Sequence, residues 1–162
     1  MFLSEKIWAR LENVTDPEIP VLTVVDMGVV REVRPLDENG AEIVITPTYS
    51  GCPAMNTIEM EIRATLEAAG YQPVKVTTVL SPPWTTQWLS EAGRSKLLKY
   101  GIAPPVEETM DKTALFAPGK AVPCPLCGSA HTRMISQFGS TACKALYQCK
   151  DCLEPFDYFK CH

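Results

Sequence analysis

The stretch Tyr49-Ser50-Gly51-Cys52-Pro53 separates an apolar strand pattern at residues 41–46 from a helical pattern at residues 56–69. Proline suits the first position of a helix, because the amide proton it lacks would have no partner there. We therefore expect Cys52 near the N-cap, where unpaired amides and the positive end of the helix dipole both favour a thiolate. Cys52 is a candidate functional thiolate, and the alternative is a small apolar residue in a tight turn.

The elements around this turn predict an α/β (α+β) fold, in which a small mixed sheet of three to four strands packs against helices. An Asn-Gly pair at the end of residues 37–40 is typical of a hairpin turn. Gly70 is a natural end for the helix that follows the cysteine turn, so the next strand is expected to pair beside the hairpin after a crossover. The predicted strands are residues 29–33, 41–46 and 73–80, and the predicted helices are residues 5–13 with a Ser4 cap, 56–69, and one from Thr85 or Thr86 through Leu97.

Two acidic residues lie where the first predicted helix ends, in Thr15-Asp16-Pro17-Glu18-Ile19-Pro20. Residues before proline are pushed out of the helical region, which ends the helix here. A carboxylate beside proline most often caps a turn. The alternative for Asp16 and Glu18 is that one of them helps to shape a site near Cys52.

Trp84 and Trp88 follow the third predicted strand, which Ser81-Pro82-Pro83 ends. Large aromatic side chains at such positions usually pack against the sheet. A partner-binding surface is the alternative interpretation.

Composition limits the classes of function. The net charge is −4 and the pI about 5.2, which argues against a protein that mainly coats nucleic acid or an anionic membrane. No 18 apolar residues run together, and the beginning of the sequence lacks a secretion-signal pattern, so a cytoplasmic protein without a membrane span is expected. Seven cysteines in such a protein favour metal binding or thiol chemistry over disulfides.

The composition changes along the chain. An α/β domain is predicted at residues 1–100, a linker rich in proline and glycine at 101–122, and a domain rich in cysteine and aromatic residues at 123–162. The last domain has too few aliphatic residues for a conventional core. A metal ion is expected to stabilise it instead.

Two Cys-x-x-Cys knuckles in the last domain predict that metal site. They are separated by 21 residues, and each presents two thiolates from one turn, so that together they complete the tetrahedron that zinc accepts. A structural zinc β-ribbon is therefore predicted, with strand patterns at residues 132–137 and 145–148. The predicted ligands are Cys124, Cys127, Cys149 and Cys152.

The roles of four further residues in this domain stay open. Cys143 and Cys161 are either buried small residues, replacement ligands, or part of an iron-sulfur site, which also takes four thiolates. His131 and His162 are spare ligands or bystanders. The spacing does not separate zinc from a cluster.

Nucleic-acid binding is the runner-up for a zinc ribbon. From Lys120 onward the sequence has five Lys or Arg and three Asp or Glu. This surplus of positive charge is too small for several contacts with phosphate groups. The aromatic residues Phe156, Tyr158 and Phe159 suit a protein-docking surface equally well, or fill the core of the ribbon.

Four blocks of the first domain resemble the MIP18-like family, also called the domain of unknown function 59. The blocks occur in the family's order, and Cys52 corresponds to its motif cysteine. The resemblance implies a link to iron-sulfur protein maturation and a transient iron or iron-sulfur cluster at Cys52. The blocks are Asp16-Pro17-Glu18-Ile19-Pro20, Asp26-Met27-Gly28-Val29-Val30, Ser50-Gly51-Cys52-Pro53, and Pro82-Pro83-Trp84 with Leu89-Ser90-Glu91.

The second half extends the resemblance to the PaaD-like proteins of phenylacetate degradation. It rests on residues 138–147 and on Glu154-Pro155-Phe156-Asp157-Tyr158-Phe159-Lys160. The resemblance implies protein partners in the multicomponent phenylacetyl-CoA epoxidase and a role in its maturation. The chain itself has no nucleotide loop and no Glu-x-x-His pair for a di-iron site.

Three hypotheses follow from these observations. The first is a non-enzymatic accessory factor that helps to assemble an iron-sulfur or metal centre of the epoxidase system. The second is a stoichiometric structural subunit of the epoxidase complex. The third, a thiol enzyme using Cys52, lacks a plausible base close in sequence, because both histidines lie in the ribbon segment.

Overall fold

The protein is described from a computed structural model that covers residues 2–49, 51–106 and 121–160. The chain divides into two compact units, with the boundary between Gly93 and Arg94. Both combine strands with helix, so the predicted α+β class is confirmed, while the predicted domain limits stay a prediction.

The described residues contain three α-helices and seven β-strands. None of these helices is both long enough and apolar enough to cross a membrane. The helices are α1 (Leu3–Leu11), α2 (Ala54–Ala68) and α3 (Glu91–Tyr100), and the strands are β1 (Val30–Leu36), β2 (Gly40–Ile45), β3 (Val74–Thr78), β4 (Ile102–Ala103), β5 (Thr132–Ser136), β6 (Lys144–Cys149) and β7 (Pro155–Phe159).

The first unit contains a mixed three-stranded sheet in the order β1-β2-β3. β1 and β2 form the predicted hairpin, and β3 runs parallel to β2 after the crossover through α2. Ile43 lies in the central strand, opposite Val33 on one side and Val76 on the other. The predicted pairing of the third strand beside the hairpin is confirmed.

Helix α2 covers the sheet with the apolar face that its sequence pattern predicts. Ile58, Ile62 and Leu66 are fully buried, and each buried side chain of this size contributes roughly 2 kcal/mol of hydrophobic stabilisation. On the other side of the helix, Arg63 pairs with Glu59 at 3.3 Å, one turn away. Arg63 also donates to the carbonyl of Val74 in β3, at 2.7 Å, so it links the helix to the sheet.

Helix α1 differs from its prediction at the N-terminus. It begins at Leu3, and Phe2 occupies the N-cap. The carboxylate of Glu5 accepts the Phe2 amide at 3.0 Å, which is the backward half of a capping box. Ser4 therefore lies inside the helix, and the predicted Ser4 cap is wrong.

Helix α3 begins later than predicted. Thr86–Trp88 form a short 3-10 turn, and Leu89 is extended, which interrupts the predicted continuous helix. Ser90 Oγ accepts the amide of Gly93 at 2.9 Å, so Ser90 caps a new helix that starts at Glu91.

The second unit holds a four-stranded sheet in the order β4-β7-β6-β5. The sequence patterns predicted β5 and β6. They did not predict β7 or β4, which pair with each other in parallel. β4 comes from the stretch assigned to the linker, of which residues 107–120 lie outside the described residues.

The core of this sheet is aromatic and small. Phe156 and Phe159 are buried, and Tyr147 stacks on Phe156 with ring centroids 5.9 Å apart. Tyr158 meets the ring of Tyr147 edge-on at 5.4 Å. The core interpretation is thus confirmed for Phe156, which belongs to the buried cluster of this unit, and Tyr158 packs against that cluster. Phe159 is buried outside it.

A close backbone approach in the first unit requires glycine at position 28. Gly28 has φ +70°, and a Cβ atom added there would lie 2.4 Å from the carbonyl oxygen of Trp88. The Arg31 guanidinium also lies over the Trp88 ring, 3.4 Å from the ring centroid. No larger residue fits at position 28 without displacing the segment that carries Trp88.

We expect Gly28→Ala to lower the free energy of unfolding by more than about 2 kcal/mol, because left-handed strain and overpacking add. Gly70→Ala is the matched control, since Gly70 also has positive φ but open space around it. It should cost about 1 kcal/mol. Urea unfolding measures the free energy of unfolding of both variants. Equal decreases would show that the backbone of Trp88 does not limit the size of the residue at position 28.

Candidate functional site

Cys52 lies in the turn between β2 and α2, immediately before the N-cap. Pro53 is the N-cap rather than the first helical residue, and α2 starts at Ala54, two residues before the predicted range of 56–69. The Cys52 amide donates to the carbonyl of Tyr49 at 3.3 Å, and the Cys52 carbonyl accepts the Met55 amide at 3.2 Å. The side chain is half-buried, so the thiol is held in a defined turn and remains accessible.

Asp16 caps a turn, which is the more common role of a carboxylate beside proline and the first of the two interpretations given for it. Its Oδ1 atom accepts the amides of Glu18 and Ile19 at 2.7 and 2.8 Å, and its own amide donates to the Leu22 carbonyl at 2.8 Å. The carboxylate is buried and Glu18 is half-buried. A contribution of either residue to a site near Cys52 stays a prediction.

Asp26 is a second buried carboxylate, which was not singled out from the sequence. Asp26 Oδ2 accepts the Thr23 amide at 3.2 Å, while Thr23 Oγ1 accepts the Asp26 amide at 3.0 Å. Ser90 Oγ then donates to Asp26 Oδ1 at 3.2 Å. The Thr-x-x-Asp spacing of a capping box was the available signal. Asp26 positions the segment that precedes α3.

A cleft of about 220 Å³ opens beside the turn that carries Cys52. Two segments form it, one leading from β2 towards Cys52 and one following β3. Trp84 is buried in its wall, where its Nε1 atom donates to the carbonyl of Met27 at 2.8 Å. The lining residues are Thr46, Pro47, Thr48, Tyr49, Leu80, Pro83 and Trp84.

Thr46 is the unusual member of this lining. Its side chain is 1% exposed, and its Oγ1 atom has no hydrogen-bond partner among the described residues. Burying an unpaired hydroxyl costs about 1–3 kcal/mol. No pattern in the sequence marks this residue, because only the tertiary packing shows which hydroxyl lacks a partner.

The second unit brings the four predicted ligands together. The Sγ atoms of Cys124, Cys127, Cys149 and Cys152 all lie within 4.8 Å of one another. Sγ of Cys124 is 3.8 Å from that of Cys152, and Sγ of Cys127 is 3.5 Å from that of Cys149. Ligands about 2.3 Å from one tetrahedral ion would be about 3.8 Å apart. The cluster is a metal site in its geometry and its ligand chemistry.

Asp151 joins the two knuckles around this site. Ser129 Oγ donates a short hydrogen bond to one oxygen of Asp151, and Nδ1 of His131 lies 3.3 Å from the other. The bond from Ser129 and then the neighbouring His131 lower the pKa of the Asp151 carboxyl. The Lys150 amide also donates to the His131 carbonyl at 2.8 Å. His131 therefore braces the knuckles, and it lies outside the four-sulfur group.

The knuckle thiols differ in their tendency to ionise. The amide of Cys152 donates to Cys149 Sγ at 3.5 Å, and this bond is the largest cause that lowers the pKa of Cys149 to about 7. The pKa of Cys152 is raised to about 12: the Glu154 amide acts to lower it, but burial and the three neighbouring thiols outweigh that effect. A cation is needed for all four to be thiolates together.

Cys143 lies apart from the metal ligands. It is buried, its Sγ is 3.0 Å from Oγ1 of Thr141, and it is not part of the four-sulfur group. Cys161 and His162, which the sequence offered as further ligands of this domain, lie outside the described residues.

Comparison with known protein families divides the chain into two matched parts. Residues 4–80 match the family model described as iron-sulfur cluster assembly protein. Residues 108–160 match the PaaD zinc beta ribbon domain. The chain thus belongs to the class of proteins in which an iron-sulfur assembly domain is followed by a PaaD-type zinc ribbon. The predicted resemblances to the MIP18-like family and to the PaaD-like proteins are both confirmed.

A relative from Escherichia coli (strain K12), whose name describes it as a candidate subunit of 1,2-phenylacetyl-CoA epoxidase, extends the similarity to nearly the whole chain. It is 51% identical over 96% of this chain and 92% of its own length. The chain therefore belongs to the PaaD family.

Relatives of the first part alone are also known. The Bacillus subtilis (strain 168) Fe-S protein maturation auxiliary factor YitW is 35% identical over 59% of this chain and 93% of its own length. A solved structure of a domain of unknown function 59 from Bacillus anthracis is 30% identical, with a TM-score of 0.54, and covers 58% of this chain and 90% of its own. The chain is homologous to iron-sulfur maturation factors as well as to the epoxidase protein of Escherichia coli.

We expect Thr46→Val to keep or raise the free energy of unfolding, by up to about 1 kcal/mol, because valine removes an unpaired hydroxyl while filling the same space. Thr48→Val in the same cleft is the control, since Thr48 is only half-buried and should change stability by less than about 0.5 kcal/mol. Urea unfolding of both variants checks this. A loss of more than about 1 kcal/mol in Thr46→Val alone would mean that the hydroxyl has a partner.

Proposed function

We propose that this protein is an accessory factor that assists the assembly of an iron-sulfur or other metal centre in a phenylacetyl-CoA epoxidase system. The observation that carries the proposal is the half-buried Cys52 thiol in a fixed turn at the start of α2, in a domain homologous to maturation factors. The metal centre is cargo in this function, and its client is a component of the epoxidase.

Cys52 has the features that a transient ligand needs. It directly precedes the N-cap of a 15-residue helix, and the turn that holds it fixes where its sulfur atom lies. It is accessible, unlike Cys143. A lone cysteine binds a cluster weakly, because the remaining ligands must come from elsewhere, and weak holding suits a factor that hands its cargo on. Asp16 and Glu18 stay candidates for neighbouring groups.

The second unit serves a structural role in this proposal, with zinc as the resident ion. The sulfur separations of 3.5 and 3.8 Å suit one ion shared by four thiolates. In an iron-sulfur cluster the four cysteines are divided between two or four iron atoms, so the sulfur atoms on different irons lie further apart than those around one ion. When bound, zinc would hold the two knuckles together in place of a large apolar core.

The ribbon also presents surface for protein contacts. Leu126 and Leu153, one beside each knuckle, are exposed large apolar side chains. Such residues suit contacts with a client protein, whereas the small basic surplus of the ribbon does not favour nucleic acid. The proposed partners are protein components of the epoxidase, in a reducing cytoplasm that keeps the free thiols reduced. We propose no catalytic role.

A structural subunit is the second candidate. It is favoured by one observation, the 51% identity to a protein whose name describes it as a subunit. The two candidates differ in whether the protein stays with the oxygenase. Stable, stoichiometric co-purification with the mature complex supports the subunit, and release after maturation supports the accessory factor.

We expect the purified protein to contain about one zinc ion per chain and no acid-labile sulfide. Removal of the ion by a chelator, or by Cys127→Ser, should abolish the ordered amide signals of β5, β6 and β7, because ion binding replaces core stability there. Metal analysis and amide hydrogen exchange measure both effects. Cys143→Ser is the control that should retain zinc. Iron with sulfide bound at these four cysteines would contradict the zinc assignment.

We expect Cys52→Ser to fold normally and to lower the cluster content of a co-expressed iron-sulfur component of the epoxidase several-fold. The serine hydroxyl is a much poorer ligand than a thiolate for the cargo. Iron and sulfide analysis of the purified component measures the effect, with Cys143→Ser as the control for removing one thiol. Equal loading by wild type and Cys52→Ser would exclude the role assigned to Cys52.

A further inference from the structure

A groove lies between α1 and the C-terminal part of α2, within the first unit. Two adjoining cavities of about 590 and 320 Å³ form it, and Arg10 and Asn13 line both of them. The side that belongs to α2 consists of Thr65, Ala68 and Ala69. No residue that the proposed function uses lines this groove.

The groove carries positive charge. Lys6 and Arg10 line it from α1, where they lie one turn apart, and both are exposed. Neither forms an ion pair with another described residue, and none of the described residues that line the two cavities is acidic. Side chains one turn apart on a helix are neighbours, about 5–6 Å apart at their Cβ atoms. The pair therefore attracts negatively charged groups at that spacing.

Tyr71 distinguishes this groove from an ordinary solvated helix face. The residue is only 8% exposed, and it lines the smaller cavity. Its hydroxyl forms no hydrogen bond with another residue in the part of the chain that the structure describes. Unlike Thr46 Oγ1, this oxygen is not shut off from solvent. The hydroxyl is thus an unused donor that a guest in the groove can reach.

The shape of the groove suits a helix of another protein. Ala9, Ala68 and Ala69 have short side chains, which let a second backbone approach closely. From Lys6 to Asn13 the groove follows α1 for about 10 Å, which is two helical turns. The described lining has no large aliphatic side chain, so charge and hydrogen bonds, rather than an apolar seam, would select the partner.

We propose that the groove docks a helix of the client protein that carries two carboxylates one turn apart. One lies at Lys6 and accepts the Tyr71 hydroxyl, and the other lies at Arg10. The inference rests on the proposed function, because that function supplies the client. Ala68 lies about 20 Å along α2 from the end that follows Cys52. A client held in the groove therefore leaves the thiol uncovered.

The test is a titration of the full chain with a helical peptide of about 18 residues, built from alanine and glutamine with two glutamates one turn apart. The methyl resonances of Ala9, Ala68 and Ala69 report binding in the groove. We expect saturable shifts with a dissociation constant of about a millimolar at low salt, and several-fold weaker binding at about 0.5 M salt. A matched peptide with glutamine at both glutamate positions should bind several-fold more weakly.

Three variants of the protein locate the contacts. Lys6→Gln should weaken binding of the glutamate peptide several-fold, whereas Lys99→Gln, which removes an exposed charge from α3, should leave it unchanged. Tyr71→Phe keeps the ring and removes only the hydroxyl, and it should weaken binding about three- to tenfold. Attraction by overall charge alone would not respond to Tyr71→Phe.

Several outcomes would overturn the proposal. These are no saturable shift, equal binding of the two peptides, equal effects of Lys6→Gln and Lys99→Gln, and wild-type binding by Tyr71→Phe. Inorganic phosphate that shifts the same methyl groups at lower concentration than the peptide would assign the groove to a free anion. Wild-type loading of the client by the double variant Lys6→Gln, Arg10→Gln would show that the client does not dock here.

Cys52→Ser separates this proposal from the function on which it rests. The variant should bind the glutamate peptide like the wild type, because Cys52 does not line the groove. Loss of client loading in Cys52→Ser without peptide binding by the wild type would remove only the docking site. Peptide binding together with unchanged loading by Cys52→Ser would remove only the role of Cys52.

Discussion

The first unit depends on the contact between two segments that are distant in sequence, the turn before β1 and the segment after β3. Trp84 donates its indole proton to the Met27 carbonyl, and Gly28 leaves room for the backbone at Trp88. Asp26 completes the contact through Ser90. Because Trp84 is fixed in this way, the segment after β3 forms a stable wall of the cleft beside Cys52.

The second unit relies on a different source of stability. Its aromatic core is small, and its two knuckles meet through four sulfur atoms within 4.8 Å and through Asp151. Sulfur atoms at this distance repel one another as thiolates, so the geometry favours a bound cation. A cation bound there, with the hydrogen bonds of Asp151, would stabilise this unit as aliphatic side chains stabilise a larger domain.

Sequence patterns predicted the features that depend on residues close together in the chain. The face of Ile58, Ile62 and Leu66 repeats at helical spacing, and the two Cys-x-x-Cys pairs carry their own ligand geometry, so the helix and the ligand set could be predicted. The cap at Ser90 was harder to predict, because the residues around it follow a helical pattern that continues through this position. A serine within such a pattern does not by itself show that a new helix begins there. Strand β7 was not predicted, because its five residues are too few to show the alternation of apolar and polar residues that marks a strand. It forms a strand by pairing with β4 and β6.

Residue type and spacing were enough to predict the two parts of the chain that match known families, the four cysteines that the structure brings together, and the position of Cys52 before a helix. The folded chain was needed to show that Asp16 caps a turn, that Cys143 lies apart from the metal ligands, and that the Thr46 hydroxyl is buried without a partner among the described residues. The physical reason is that the packing around a polar group, and with it the presence or absence of a hydrogen bond, depends on how the whole chain folds. Spacing along the sequence does not contain that information.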